Sequence, residues 1–315
     1  MFPRNLSELN RNSGVDKMNA HKTKEKVYEK ILLISAFVSV ITIILIGGFV
    51  LIEGLPIFLK TGVFKFLLGR EWAPTSDVFG ILPMIAGTFA VTLGALILGV
   101  PLGVSTAIFL AEFAPPKICQ IIRPAVELLA GIPSVVYGLF GMVIVNDIIM
   151  KVERTYLSEF LAPEYQRGYS ILSASIILAI MILPTVINIS EDAIRSVPTE
   201  YKEASLALGA TEWQTIYRVL VPAASSGIIA AVVLGMGRAL GETMAVIMVA
   251  GNTVAMPGSI FAPVRTLTGN IAIEMGYAAG DHVKALFATG IVLFVIIMVL
   301  NTFATYFAKR GVKQV

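Results

Sequence analysis

Residues 191–222 read EDAIRSVPTEYKEASLALGATEWQTIYRVLVP, a polar interruption between two long apolar runs. The stretch spells two short helices. Pro198 stands early in the first, where a missing N–H costs nothing. Gly209 stands where a helix end takes a left-handed residue. Thr211 and Gln214 make a T-x-x-Q capping box that starts the second helix, and Pro222 ends it. A capped helix–turn–helix between apolar runs is a rigid surface offered to a partner, and a partner protein is the first expectation.

The rest of the chain explains why those flanking runs are apolar. Of 315 residues, 56% are hydrophobic and 14% charged, against about 25% charged in an ordinary soluble domain. The solvent is therefore a bilayer, and each crossing needs about 20 apolar residues wound as helix. Runs long enough to cross fall at 31–52, 78–111, 128–146, 168–190, 219–237 and 285–308. The second would be about 51 Å as helix, too long for one straight crossing and too short for two. It is read as one crossing, kinked or extended near Pro101. The expected fold is an all-α polytopic membrane protein with six transmembrane helices.

Basic residues orient it. Segments 1–30, 113–123, 192–222 and 309–315 hold 15 Lys and Arg, and segments 53–77, 147–167 and 251–284 hold 8. Both termini and the capped loop are then cytoplasmic, in a multi-pass protein of the cell membrane. The first run is 22 residues with no small-residue cleavage site after it, so it reads as an uncleaved first helix. Residues 1–26 read as a polar, loosely ordered cytoplasmic tail, and 27–315 as the membrane domain. The basic pI follows the loop asymmetry and gives no ground for nucleic-acid binding.

Several smaller features carry expectations. Segment 55–68, LPIFLKTGVFKFLL, reads as lying on the outer membrane surface. The outer loop 251–284 is apolar yet rich in Gly and Pro. It either folds toward the pore mouth, meets an external partner, or packs as an irregular loop on the other outer loops. Gly99 with Gly103 and Gly237 with Gly241 are GxxxG pairs suited to close helix packing. No internal repeat is evident. One cysteine, Cys119, and two histidines, His21 and His282, make neither a zinc cluster nor a disulfide framework.

Arg238 and Glu242 stand in GMGRALGETMAV, about 21 Å along the helix from Ala224. At i, i+4 they would share one helical face. An ionisable group at mid-membrane costs about 2.5–3.5 kcal/mol on insertion scales, so its default reading is functional. A guanidinium suits an oxyanion. A nearby carboxylate repels a fully deprotonated anion but accepts a hydrogen bond from one that keeps a proton, as phosphate does near neutrality. The other reading is a self-neutralising pair that locks the helix. The sequence has no GxxxxGK[ST] loop, no HExxH and no persuasive Ser/His/Asp set. Energy for active transport would enter through a partner.

The stretch EASLALGATEWQTIYRVLVP, with Glu203-Ala204, Gly209 and Leu220-Val221-Pro222, resembles the EAA loop of binding-protein-dependent ABC importer permeases. Ser205 stands where the triplet usually has a second alanine, and Val221 where leucine is usual. AGIPSVVYG at 130–138, VPTEYKEASLALGAT at 197–211 and GRALGETMAV at 237–246 resemble the phosphate-transport permeases. GETMAV followed by Gly251-Asn252 is similar to the PstC type rather than the sister PstA type. The resemblance runs from about residue 28 onward.

It implies a type I importer permease fold with a cytoplasmic coupling loop over about 192–222. It implies a phosphate-importing complex with a PstA-type sister permease, a PstB-type ATPase dimer and an external PstS-type phosphate-binding protein. This chain would bind no cofactor and would not itself be an enzyme, ATP and Mg being used by the ATPase. Glu203, Ala204, Ser205, Gly209 and Ala210 would couple to the ATPase, and Arg238 and Glu242 would line the phosphate path. Two alternatives stay open: the same architecture importing another oxyanion, and a stand-alone channel or ion-coupled carrier.

Overall fold

The computed structural model describes residues 6–311, with side chains over 28–306 except Glu164. The chain divides into two units, Met1–Ile52 and Glu53–Val315. The first unit is helical from Leu6, as part of α1 (Leu6–Thr61). The polar segment read as a loosely ordered tail thus continues the first helix over its described residues.

In the second unit, α2 (Val63–Leu68) leads to a two-stranded hairpin, β1 (Trp72–Ala73) and β2 (Val78–Phe79), paired antiparallel with Trp72 opposite Phe79. Helix α3 (Leu82–Ile108) runs through Pro101 and ends in a π turn, Phe109–Phe113. Then come α4 (Pro116–Gly131), α5 (Ser134–Phe140), a second π turn (Gly141–Val145) and α6 (Asn146–Tyr156). Helix α7 (Ile171–Arg195) precedes the loop helices α8 (Thr199–Ala207) and α9 (Glu212–Thr215). A third π turn (Ile216–Leu220) and α10 (Val221–Ala223) lead into α11 (Ser225–Gly241). Helices α12 (Met244–Val249), α13 (Leu267–Glu274) and α14 (Asp281–Gly311) complete the chain.

Among the described residues, five helical stretches are long and apolar enough to cross a membrane: Tyr28–Thr61, Leu82–Phe113, Ser134–Tyr156, Ile171–Arg195 and Asp281–Tyr306. A sixth results if Glu212–Ala223 and Ser225–Gly241, bent by 67° at Ala224, count as one span. The fold is that of a polytopic all-α protein. Two spans differ in outline from the sequence pattern. The run at 128–146 straddles a break, because Ile132 and Pro133 are extended and separate α4 from α5. Proline forbids the helical bond there and pushes the residue before it out of the helical region. The run at 219–237 is shifted, its straight part being α11.

Helix α7 is the centre of the bundle, with Ile177, Leu178, Met181 and Ile182 almost wholly buried. In lipid, helices gain from close contact rather than from escape from water. Glycines of α3 provide that contact. A Cβ on Gly99 would stand 2.9 Å from Ile182, and one on Gly103 would stand 2.7 Å from Val186. The first GxxxG pair therefore packs within the chain. Gly237 and Gly241 have nothing within 4 Å where a Cβ would stand.

Segment 55–68 packs through Ile57 and Phe66, which are buried with Phe79, Ile81, Met84 and Leu267. Leu267 belongs to segment 251–284, which packs on its neighbours as one reading expected but is helical over α13 rather than irregular throughout. Its buried Glu274 accepts hydrogen bonds from Trp72 Nε1 at 2.7 Å and Arg265 Nη1 at 2.6 Å. His282 Nε2 lies 2.8 Å from the same carboxylate.

Candidate functional site: the coupling loop and the broken fifth span

The polar loop forms the two helices its sequence spells. Pro198 is the residue before α8 rather than inside it. Gly209 follows the helix with φ of +86°, a left-handed conformation that glycine adopts without a Cβ penalty. The N–H of Ala210 donates to Ser205 O at 3.2 Å and that of Gly209 to Leu206 O at 3.0 Å. These two bonds make a Schellman cap and satisfy carbonyls that the helix end would leave bare. Thr211 Oγ1 accepts from Gln214 N at 3.2 Å, and Gln214 Oε1 accepts from Thr211 N at 3.0 Å, which completes the capping box. Pro222 does not stop the second helix, which reaches Ala223 through the π turn before the bend at Ala224.

No residue of α8 is buried. Glu203, Ala204 and Gly209 are exposed, and Ser205 and Ala210 half-buried. The five residues expected to couple to an ATPase thus lie together around one turn. Ser205 has a specific task, because its hydroxyl lies 2.9 Å from that of buried Thr215 and ties α8 to the start of the third π turn. Leu208 is 90% exposed, the largest value for an apolar residue in the loop, so the face is not stabilised within this chain.

The loop is fastened to the end of α3. Lys202 Nζ lies 2.6 Å from Glu112 Oε2. Trp213 stacks near Phe113 with ring centroids 6.4 Å apart. Buried Glu191, one turn before the end of α7, accepts from Arg195 Nε at 2.9 Å and from Arg123 Nε at 3.0 Å. The hydrogen bond to Glu191 raises the already high pKa of Arg123, so that guanidinium stays charged at any working pH. None of these partners was legible in the sequence. Apart from Arg195 and Glu191, four positions apart, they lie 68 to 100 positions apart.

Arg238 and Glu242 do not share a helical face. Helix α11 ends at Gly241, and Glu242 is extended, with φ −69° and ψ 134°. Glu242 Oε1 accepts from Ala245 N at 3.1 Å and its carbonyl accepts from Thr268 Oγ1 at 2.9 Å. The carboxylate is therefore spent partly on the first turn of α12. Arg238 is exposed at the side of α11 and makes no hydrogen bond or ion pair among the described residues. The expected i, i+4 pairing is replaced by a gap in the helix with a free guanidinium just before it. Helix α12 then packs on α5. A Cβ on Gly138 would stand 2.6 Å from Met248 Sδ and 3.1 Å from Ala245 Cα. Two interrupted helices thus meet, one broken at Ile132–Pro133 and the other at Glu242–Thr243.

Residues 99–313 match the family described as binding-protein-dependent transport system inner membrane component. The chain belongs to that family. A probable ABC transporter permease protein, YqgH of Bacillus subtilis, is 40% identical over 281 residues, covering 87% of this chain and 88% of the relative. The phosphate transport system permease protein PstC of Mesorhizobium japonicum is 37% identical over 286 residues, covering 86% and 87%. The PstC-type resemblance thus extends over most of the chain. Among solved structures, a bacterial ABC transporter involved in alginate import aligns with TM-score 0.60 at 19% identity, covering 92% of this chain and 99% of that one. The MetNI methionine ABC transporter aligns with TM-score 0.57 at 16% identity, covering 76% and 99%. At such identities the likeness establishes the fold of an importer permease. The chain is an integral membrane permease subunit.

Proposed function

We propose that this permease forms, with a sister subunit, the path of an ATP-driven phosphate importer. It lies in the cell membrane with both termini cytoplasmic, and takes its energy from an ATPase dimer that grips the capped loop. An external phosphate-binding protein delivers the cargo. The observation that carries the reading is Arg238, a charge on a membrane span that no described residue neutralises. A charge left open at that cost has a partner outside the chain, and a planar fork of donors matches an oxyanion. The 37% identity to a phosphate permease supports phosphate as that oxyanion.

Glu242 sits at the helix break with Oε1 engaged by Ala245. Its other oxygen is the acceptor for a protonated oxyanion, which favours monohydrogen or dihydrogen phosphate over sulfate. A site that hydrogen-bonds a cargo hydroxyl rejects the analogue without one. Glu203, Ala204, Ser205, Gly209 and Ala210 form the ATPase-facing turn. The test is uptake into proteoliposomes holding the assembled complex, with sulfate and molybdate as competitors. Phosphate uptake that needs ATP, resists both competitors and disappears in Arg238→Gln is the expected result. Equal competition by sulfate would refute the phosphate reading, and uptake without an ATPase would refute the importer reading.

A further inference from the structure

The segment 109–131 touches both ends of the machinery. At one end, the turn Phe109–Phe113 is held from both halves of the coupling loop. Glu112 pairs with Lys202 of α8, and Phe113 lies beside Trp213 of α9. Arg195, four residues before α8 begins, donates from Nη2 to Leu110 O at 2.8 Å. In the middle, Leu110, Cys119, Val126 and Ile187 form one small buried cluster, which packs the turn and helix α4 together against α7. Arg123 adds a fork from α4 onto Glu191 Oε1, the atom that Arg195 also grips.

At the other end, α4 stops beside the helix break. Its Leu129 carbonyl accepts a 2.7 Å hydrogen bond from the Tyr137 hydroxyl of α5, across Ile132–Pro133. Tyr137 belongs to the same buried cluster as Ala239, the residue after Arg238. Hydrogen bonds and packing therefore link the coupling loop to the part of α11 that carries Arg238. The concavity beside Arg123 is not itself a cargo site, because Glu127, Glu191 and Asp192 outnumber Arg123 and Arg195 around it.

We propose that 109–131 is a lever that carries movement of the coupling loop to the Arg238 face, with Glu112 and Glu191 as its positioning residues. The inference rests on the proposed coupling to an ATPase, and it is independent of which oxyanion is carried. The physical warrant for such coupling is an element whose placement both ends bias. The Glu112–Lys202 pair suits the loop end, since Glu112 is mostly buried, with 12% of its side chain exposed. Glu191 suits the middle, since one oxygen bridges α4 and α7.

The test is nucleotide-dependent thiol accessibility at the far end. Cys119 is the chain's single cysteine. In a Cys119→Ala background, Gly131→Cys adds a thiol where a Cβ meets nothing within 4 Å. The assembled complex is labelled with a maleimide, with and without ATP. The labelling rate should change by about fivefold or more, the low end of allosteric coupling. Lys202→Glu and Glu112→Lys should each abolish the change at equal complex yield, while ATP hydrolysis continues. The exchanged pair Glu112→Lys/Lys202→Glu should restore it.

Singles that respond like the parent overturn the lever, and so does an exchanged pair that assembles but stays silent. Should a single fail to assemble, the neutral pair Glu112→Gln/Lys202→Gln removes the ion pair without leaving a buried charge. That pair must also lose the response, and a full response from it overturns the proposal. A parent complex with bound ATPase and no nucleotide effect refutes the coupling reading itself. Transport of a different oxyanion refutes only the phosphate reading and leaves the lever standing.

Discussion

Gly209→Val isolates one quantity, the cost of a left-handed backbone position. The site has φ of +86° and nothing within 4 Å of the place a Cβ would take, so no neighbouring atom clashes. The penalty is then purely conformational. An L-residue in the left-handed region costs about 1–2 kcal/mol, and a β-branched one lies at or above the upper end. The Schellman bonds from Gly209 to Leu206 and from Ala210 to Ser205 depend on that conformation. If the loop relaxes instead, Ser205 leaves Thr215 and the docking turn is lost. Either way the dockable geometry is depleted by about 2 kcal/mol, which weakens ATPase binding by about 30-fold at 1.4 kcal/mol per decade. Asn tolerates the left-handed region, so Gly209→Asn should lose only a few-fold. The assay is titration of the ATPase onto the permease pair in nanodiscs, with membrane insertion checked by yield. Valine binding as tightly as glycine, or asparagine failing as badly as valine, would refute the reasoning.

The remaining expectations follow from other parts of the fold. Arg238→Gln should abolish uptake at unchanged complex yield, and Glu242→Gln should reduce it while admitting a proton-free anion slightly better; recovery of full transport in the double variant would exclude a role in the pathway. Gly138→Ala places a Cβ against Met248 and the Ala245 backbone and should cost about 1–3 kcal/mol as overpacking, read as a lower Tm in detergent. Gly237→Ala meets open space and should hold or raise Tm, alanine being favoured by about 1 kcal/mol in a helix. A reporter fused after residue 315 should behave as cytoplasmic and one near residue 160 as external; an external C-terminus would overturn the Lys/Arg orientation.

The capped loop was legible because its signals are local. A capping box, a left-handed glycine and a following apolar run each involve partners within about six positions, and local geometry alone satisfies them. The apolar runs were legible for a related reason, since a bilayer permits little besides helix. Arg238 was legible as a charge in an apolar run. Its separation from Glu242 was not, because i, i+4 spacing implies a shared face only if the helix continues.

Whether the helix continues is decided by the tertiary structure. Gly241 and Thr243 flank Glu242 without proline, so nothing local forces a break. The break is held by Thr268, 26 positions away, on the Glu242 carbonyl, and by the side chain of Glu242 itself on α12. The glycine of α5 that lets α12 approach stands more than a hundred positions upstream. The ion pairs of Glu112 and Glu191 are likewise contacts between distant segments. Sequence by itself determined which segments become helices, which are apolar, and which turn is capped, because each follows from near neighbours and the solvent. Only the tertiary structure decided where a helix gives up its own bonds for those of another, because that exchange depends on groups that folding brings together.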